Sequence, residues 1–116
     1  MKKDLKAKRR NETATKKFLT HLNEHHGSNW RESGVAFFPA NVIYEFGGQS
    51  RFVATSVFIY LPGNIQLMDA SWLNADDHYI EFNSEWQDFS VTSSNSLMIE
   101  GTGQKIGRYK VTIEHT

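Results

Sequence analysis

The chain has no cysteine. Disulfides, thiolate zinc sites and thiol nucleophiles are therefore excluded, and packing alone must hold the fold. Only two prolines interrupt it, Pro39 and Pro62. Long apolar runs are also missing: the longest is about ten residues, too short to cross a bilayer, and it contains Thr55 and Ser56. The basic start, residues 1–10, is not followed by an apolar segment, so no secretory leader is expected and the cytoplasm is the expected compartment. The Asn11-Glu12-Thr13 sequon has no meaning without secretion.

Net charge is absent too, with 13 Lys/Arg against 13 Asp/Glu, but the balance hides a strong asymmetry. Residues 1–17 hold eight basic side chains against Asp4 and Glu12, a surplus of six, and the remainder holds five basic against eleven acidic, a deficit of six. The molecule is an electrostatic dipole, a basic arm on an acidic body. With 116 residues, 13% of them aromatic, the chain is long enough to bury one core without staples.

Residues 42–61 name the fold class. Val42, Tyr44 and Phe46 alternate with Ile43 and Glu45, the period-two signature of a strand. Gly47 and Gly48 supply the backbone freedom for a reversal. Beyond it, Val53, Thr55, Val57, Ile59 and Leu61 face one way and Phe52, Ala54, Ser56, Phe58 and Tyr60 the other. A strand apolar on both faces is expected in the middle of a sheet, its aromatic side against a helix and its aliphatic side against the rest of the sheet. Pro62-Gly63-Asn64 reads as a type II turn with positive φ at Gly63.

The helix is expected from about Asn11, where Ala14, Phe18 and Leu22 recur every four residues beside Leu19, with Asn11 or Thr13 as cap and Gly27 as stop. Residues 1–10 form a basic arm, helical or disordered, and residues 11–116 a single domain. Trp30 anchors the connector that follows. After Ser33 the chain reads as short strands separated by turns: 35–38 broken by Pro39, the hairpin, 65–73, 78–82, 86–92, 96–100 and 108–114, with 101–107 a loose loop. The expectation is an α+β fold in which an N-terminal helix packs on a 6–8-stranded antiparallel meander, curled sheet or small barrel.

Three patterns invite chemistry. His21-Leu22-Asn23-Glu24-His25 is a literal H-x-x-E-H, in which two histidines one turn apart bind zinc beside a glutamate base. Leu22 belongs to the buried stripe and no downstream carboxylate ligand is identifiable, so solvated histidines at a helix end are the better reading and no metal is expected. The glycines of 101–107 lack phosphate-loop spacing and a following helix. Asp69, Asp76, Asp77, Glu81, Glu85 and Asp88 put six carboxylates in twenty residues, an acidic surface able to dock the chain's own arm or a basic protein.

The basic arm is the leading functional feature. Lys2, Lys3, Lys6, Lys8, Arg9, Arg10, Lys16 and Lys17 could neutralise several phosphates, giving sequence-independent and salt-dependent binding. The expected function is a non-catalytic, cofactor-free macromolecule-binding protein whose basic helix contacts nucleic acid or a ribonucleoprotein. One alternative is an inhibitor or adaptor of the phage or mobile-element accessory kind, binding a basic protein through the acidic surface. Another is a β-barrel holding a small apolar ligand among Phe52, Phe58, Tyr60, Trp72 and Trp86, residues that read more simply as core.

Overall fold

The computed structural model describes residues 3–26, 35–61, 63–68, 79–103 and 107–116. One helix, α1 (Leu5–His26), is followed by β1 (Val35–Phe46), β2 (Gln49–Tyr60), β3 (Asn64–Met68), β4 (Tyr79–Asn83), β5 (Asp88–Ser93), β6 (Ser96–Gly103) and β7 (Gly107–His115). The seven strands form one antiparallel sheet in the order β4-β3-β2-β1-β7-β6-β5, curled into a half-barrel with the helix on its hollow side. This is the α+β fold expected from the sequence.

The strand directions explain why the half-barrel stays open. Both β2 and β7 run antiparallel to β1, and following the pairings outward makes the two edge strands, β4 and β5, run the same way. Parallel neighbours need a crossover of about a dozen residues, whereas four residues separate Asn83 from Asp88. The chain therefore leaves β4 and continues as β5 at the opposite edge, and the helix packs along β5 and β6.

Helix and sheet meet through one apolar cluster. Phe18, Leu19 and Leu22 are buried against alternate residues of every strand, among them Phe38, Val42, Val57, Ile59, Ile65, Phe82, Phe89, Ile99 and Ile113. Burying these three side chains contributes roughly 6 kcal/mol. On β2 it is the aliphatic side, Val57 and Ile59, that turns inward; the aromatic side, Phe52, Phe58 and Tyr60, lies on the outer face, the reverse of the expected arrangement. Val57 and Ile59 join the buried cluster beneath the helix, while on the outer face Phe52 is exposed and Phe58 and Tyr60 are half-buried.

The helix begins six residues earlier than Asn11. The Asp4 carboxylate accepts a hydrogen bond from the Ala7 backbone N–H at 2.8 Å, which satisfies one of the unpaired N–H groups of the first turn. Ala7, Asn11 and Thr15 are all buried and extend the Phe18-Leu22 stripe toward the N-terminus. Asn11 is thus no cap but a clamp. Its Nδ2 donates to the carbonyls of Ser84 at 3.0 Å and Gln87 at 2.7 Å, and its Oδ1 accepts from the Phe89 N–H at 3.0 Å. Those three backbone groups belong to the turn between β4 and β5 and to the start of β5.

Three local readings change. β1 runs unbroken through Pro39, whose carbonyl accepts from Thr116 just beyond the last β1–β7 pair, Ala40 with His115. The N–H that proline lacks points to the same side, past the end of the ladder, so no pairing is lost. Gly63 does not take positive φ; a Cβ there would meet Ser84 Cβ at 2.9 Å and Glu12 Cγ at 3.3 Å, so close approach is what requires glycine. In the 101–107 segment, β6 reaches Gly103 and β7 starts at Gly107, leaving 104–106 outside the described residues. The β1–β2 turn has positive φ at both Gly47 (56°) and Gly48 (75°), the type I′ pattern suited to a two-residue hairpin. Expected strand residues 69–73 and 78, the turn at 74–77 and the Trp30 anchor also lie outside the described residues.

Replacing Asn11 by Ala strands a buried carbonyl, a part-buried carbonyl and a buried N–H. We expect a loss of about 3 kcal/mol in urea unfolding, with unchanged slope, against less than about 0.5 kcal/mol for exposed Thr13→Ala. Asn11→Asp, which turns a carboxylate toward two carbonyls, should be at least as damaging at neutral pH.

Candidate nucleic-acid interface

The helix sorts its cations by position. With about 100° of rotation per residue, Lys6, Arg9, Arg10, Lys16 and Lys17 fall on the half of the helix turned away from the Ala7-Asn11-Thr15-Phe18-Leu22 stripe, and all five are exposed. They span roughly 16 Å of helix axis. Among the described residues none of the five lies within ion-pair distance of a carboxylate. Lys3 and Lys8 differ: the Lys3 Nζ lies 3.0 Å from Asp88 Oδ2 and the Lys8 Nζ 3.7 Å from Glu85 Oε1. The Lys3 backbone N–H also donates to the Glu85 carbonyl at 2.6 Å. Lys2 lies outside the described residues.

Of the six expected acidic residues, Asp69, Asp76 and Asp77 lie outside the described residues. Glu85 and Asp88 face Lys8 and Lys3, so this part of the body docks the chain's own arm. Both pairs are half exposed, and each contributes at most about 0.5 kcal/mol; the Asn11 clamp and the apolar stripe fix the arm. Glu81 stands apart on β4, accepting from the Asn64 and Gln66 side-chain amides.

The outward face offers charge with little else. Thr13 and Thr20 share it, but their hydroxyls donate to the Arg9 and Lys16 carbonyls at 2.9 Å each, and its one large apolar side chain, Leu5, is 61% exposed. Such a face could neutralise phosphates, and beyond its own lysines and arginines it offers few side chains for reading base edges. The H-x-x-E-H pattern occupies the last turns of α1, where Leu22 is buried and the His25 side chain lies outside the described residues. Among the described residues no group of three His, Cys, Asp or Glu side chains could hold a metal ion.

Two hollows open at the end of the half-barrel near the Gly47-Gly48 turn. The larger, a cleft of about 910 Å³, runs between that turn and the β4–β5 turn and is lined by Lys3, Trp86, Asp88, Glu100, Arg108 and Lys110 among others. The smaller, about 230 Å³, sits among Tyr44, Phe46, Ile80, Phe82, Tyr109 and Val111. The aromatic set singled out in the sequence lines neither as a group: Phe52 is 65% and Trp86 50% exposed, Phe58 and Tyr60 point outward, and Trp72 lies outside the described residues. The aromatics that do line the smaller hollow, Tyr44, Phe46, Phe82 and Tyr109, were signalled only by their place in the alternation of β1, β4 and β7.

Comparison with protein-family models, with curated proteins and with solved structures returned no match.

Tyr109 lies across β6 over Gly101, where a methyl group would overlap its hydroxyl, and the Gln87 Nε2 donates to that hydroxyl at 3.2 Å. Burial pushes the Tyr109 phenol up, and the Gln87 bond draws it partly back. Burial alone pushes Tyr44 well above the ordinary phenol range. A folded chain that keeps its phenol proton where the unfolded chain releases it loses stability as pH rises past the unfolded value, about 10, at up to about 1.4 kcal/mol per pH unit and residue. Tyr44→Phe should flatten the decline in unfolding free energy between pH 10 and 11.5; an unchanged decline would show that Tyr44 ionises freely in the folded state.

Proposed function

We propose that the protein is a non-catalytic nucleic-acid-binding protein that lays the outer face of α1 against the phosphate backbone of a nucleic acid or ribonucleoprotein. The observation that carries the reading is the division of labour among the helix cations. Lys3 and Lys8 are engaged by Asp88 and Glu85, while Lys6, Arg9, Arg10, Lys16 and Lys17 project together from a helix fixed by its opposite face. A helix held in place presents its charges without first having to be ordered, which favours binding.

Five phosphate contacts on a duplex would give a slope of about −4.5 for log affinity against log salt, with little preference among sequences. No cofactor is needed for this role, and a cytoplasmic setting, where nucleic acid is abundant, fits it. The acidic-surface alternative has weaker support, because two of its three described carboxylates already face lysines of the same chain. The apolar-ligand alternative would have to use the small hollow around Phe82 and Tyr109.

Truncating the arm is a poor test, since it removes the Asp4 cap, Ala7 and both ion pairs together. The better variant is the quadruple reversal Arg9→Glu, Arg10→Glu, Lys16→Glu, Lys17→Glu. Fluorescence anisotropy with a labelled duplex should show affinity down about 100-fold at low salt and the slope moved toward zero, with the circular dichroism unchanged. Lys3→Ala should change affinity less than about threefold. Affinity and slope unaffected by the reversal would refute the proposal.

A further inference from the structure

The aromatic side of β2 does no work inside the fold, yet it is ordered by it. On the outer face Phe37 is 59% exposed and Phe52 65%. Phe37 sits opposite Phe58 in the β1–β2 ladder, ring centroids 4.5 Å apart, and Phe58 continues to Tyr60 at 6.2 Å. Farther along the same face Ile43 pairs with Phe52. Between these two apolar ends the outward residues are Pro39 with Ser56 and Asn41 with Ala54, a low floor. The result is a shallow saddle with rings at both ends. Single exposed apolar residues need no explanation, but two ring-bearing patches at the ends of one regular sheet face do.

Its surroundings decide what it fits. On the same face Glu45 stands two residues from Ile43, Glu114 pairs with Asn41, and Glu81 lies beyond Gln66, which pairs with Phe58. The Gln66 amide donates to the Glu81 carboxylate at 3.1 Å, which holds that acid on the outer face. On this outer face the cation nearest the saddle in the described ladder is Lys110, paired across from Glu45; Arg51, next to Phe52, falls on the other face by alternation. An acid-rimmed apolar surface repels phosphates and anionic lipid headgroups, and placed against the same face of a second copy it would set carboxylate against carboxylate. It complements an apolar segment with basic flanks.

We infer that the outer face of β1 and β2 is a docking surface for a partner-protein segment carrying aliphatic or aromatic side chains flanked by lysine or arginine. Phe37 and Phe52 are the anchors, and Glu45, Glu81 and Glu114 set the preference for a basic flank. The site lies on the opposite side of the sheet from α1, so occupancy of one surface does not block the other. The inference stands whether or not the helix binds nucleic acid.

The test uses the full chain and two labelled amphipathic peptides with the same Leu and Phe positions, one with Lys and one with Glu at the rest. The Lys peptide should bind, and the double variant Phe37→Ser, Phe52→Ser should weaken it at least tenfold. Glu45→Lys with Glu81→Lys should weaken it comparably through charge alone, covering the case in which the serine variant folds poorly. Reversing Arg9, Arg10, Lys16 and Lys17 should not weaken it. Failure of the Lys peptide to bind, or binding indifferent to both double variants, overturns the inference. So does a dimer in sedimentation, or oligo-dT binding, that disappears in Phe37→Ser, Phe52→Ser, since either would assign the surface to a different occupant.

Discussion

One buried amide joins the two halves of this molecule. The side chain of Asn11 donates to two carbonyls and accepts from one N–H, all from the segment that carries the chain from β4 to β5. That segment links opposite edges of the sheet, and among the described residues no strand pairing crosses between them. Asparagine has the donor and acceptor set the three backbone groups require; aspartate lacks the donors, and leucine would leave all three unsatisfied. The bond geometry fixes the rotation of α1 about its axis. Rotation in turn decides that Phe18 and Leu22 face the core, that Lys3 and Lys8 reach Asp88 and Glu85, and that five cations are left facing outward.

The two surfaces that result are chemically opposite. The helix side carries exposed cations; the sheet side carries aromatics inside a rim of carboxylates. Neither could be moved to the other side without breaking the core, because each is the obligatory reverse of a buried face. Zero net charge is therefore a poor description of a chain whose charge is separated across its layers.

Period and turn chemistry carried the sequence reading a long way. Alternation plus paired glycines located the β1–β2 hairpin, and the alternation of Tyr109, Val111 and Ile113 located β7. Where it stopped, a tertiary partner made the decision. Asn11 looks like a cap from its neighbours, and only the Ser84, Gln87 and Phe89 backbone turns it into a clamp. Pro39 looks like a breaker until β7 is seen to end beside it. With both faces of β2 apolar, hydropathy could not tell inside from outside; only the packing of Val57 and Ile59 into the cluster with Phe18 and Leu22 does. The outward set of Lys6, Arg9, Arg10, Lys16 and Lys17 was legible by rotation alone, whereas the engagement of Lys3 and Lys8 depended on a turn some eighty residues away.

The basic N-terminal segment is part of the folded body, held by Asn11 and the apolar stripe, and is not a tail with charges on it. Amide hydrogen exchange on the full chain tests this most directly. The account predicts that the α1 amides from Asn11 to Leu19 exchange with the same opening free energy as those in the centre of β1 and β7, because helix and sheet unfold as one unit. Exchange of those helix amides within seconds, at the rate of an isolated helix, while β1 and β7 stay protected, would contradict it.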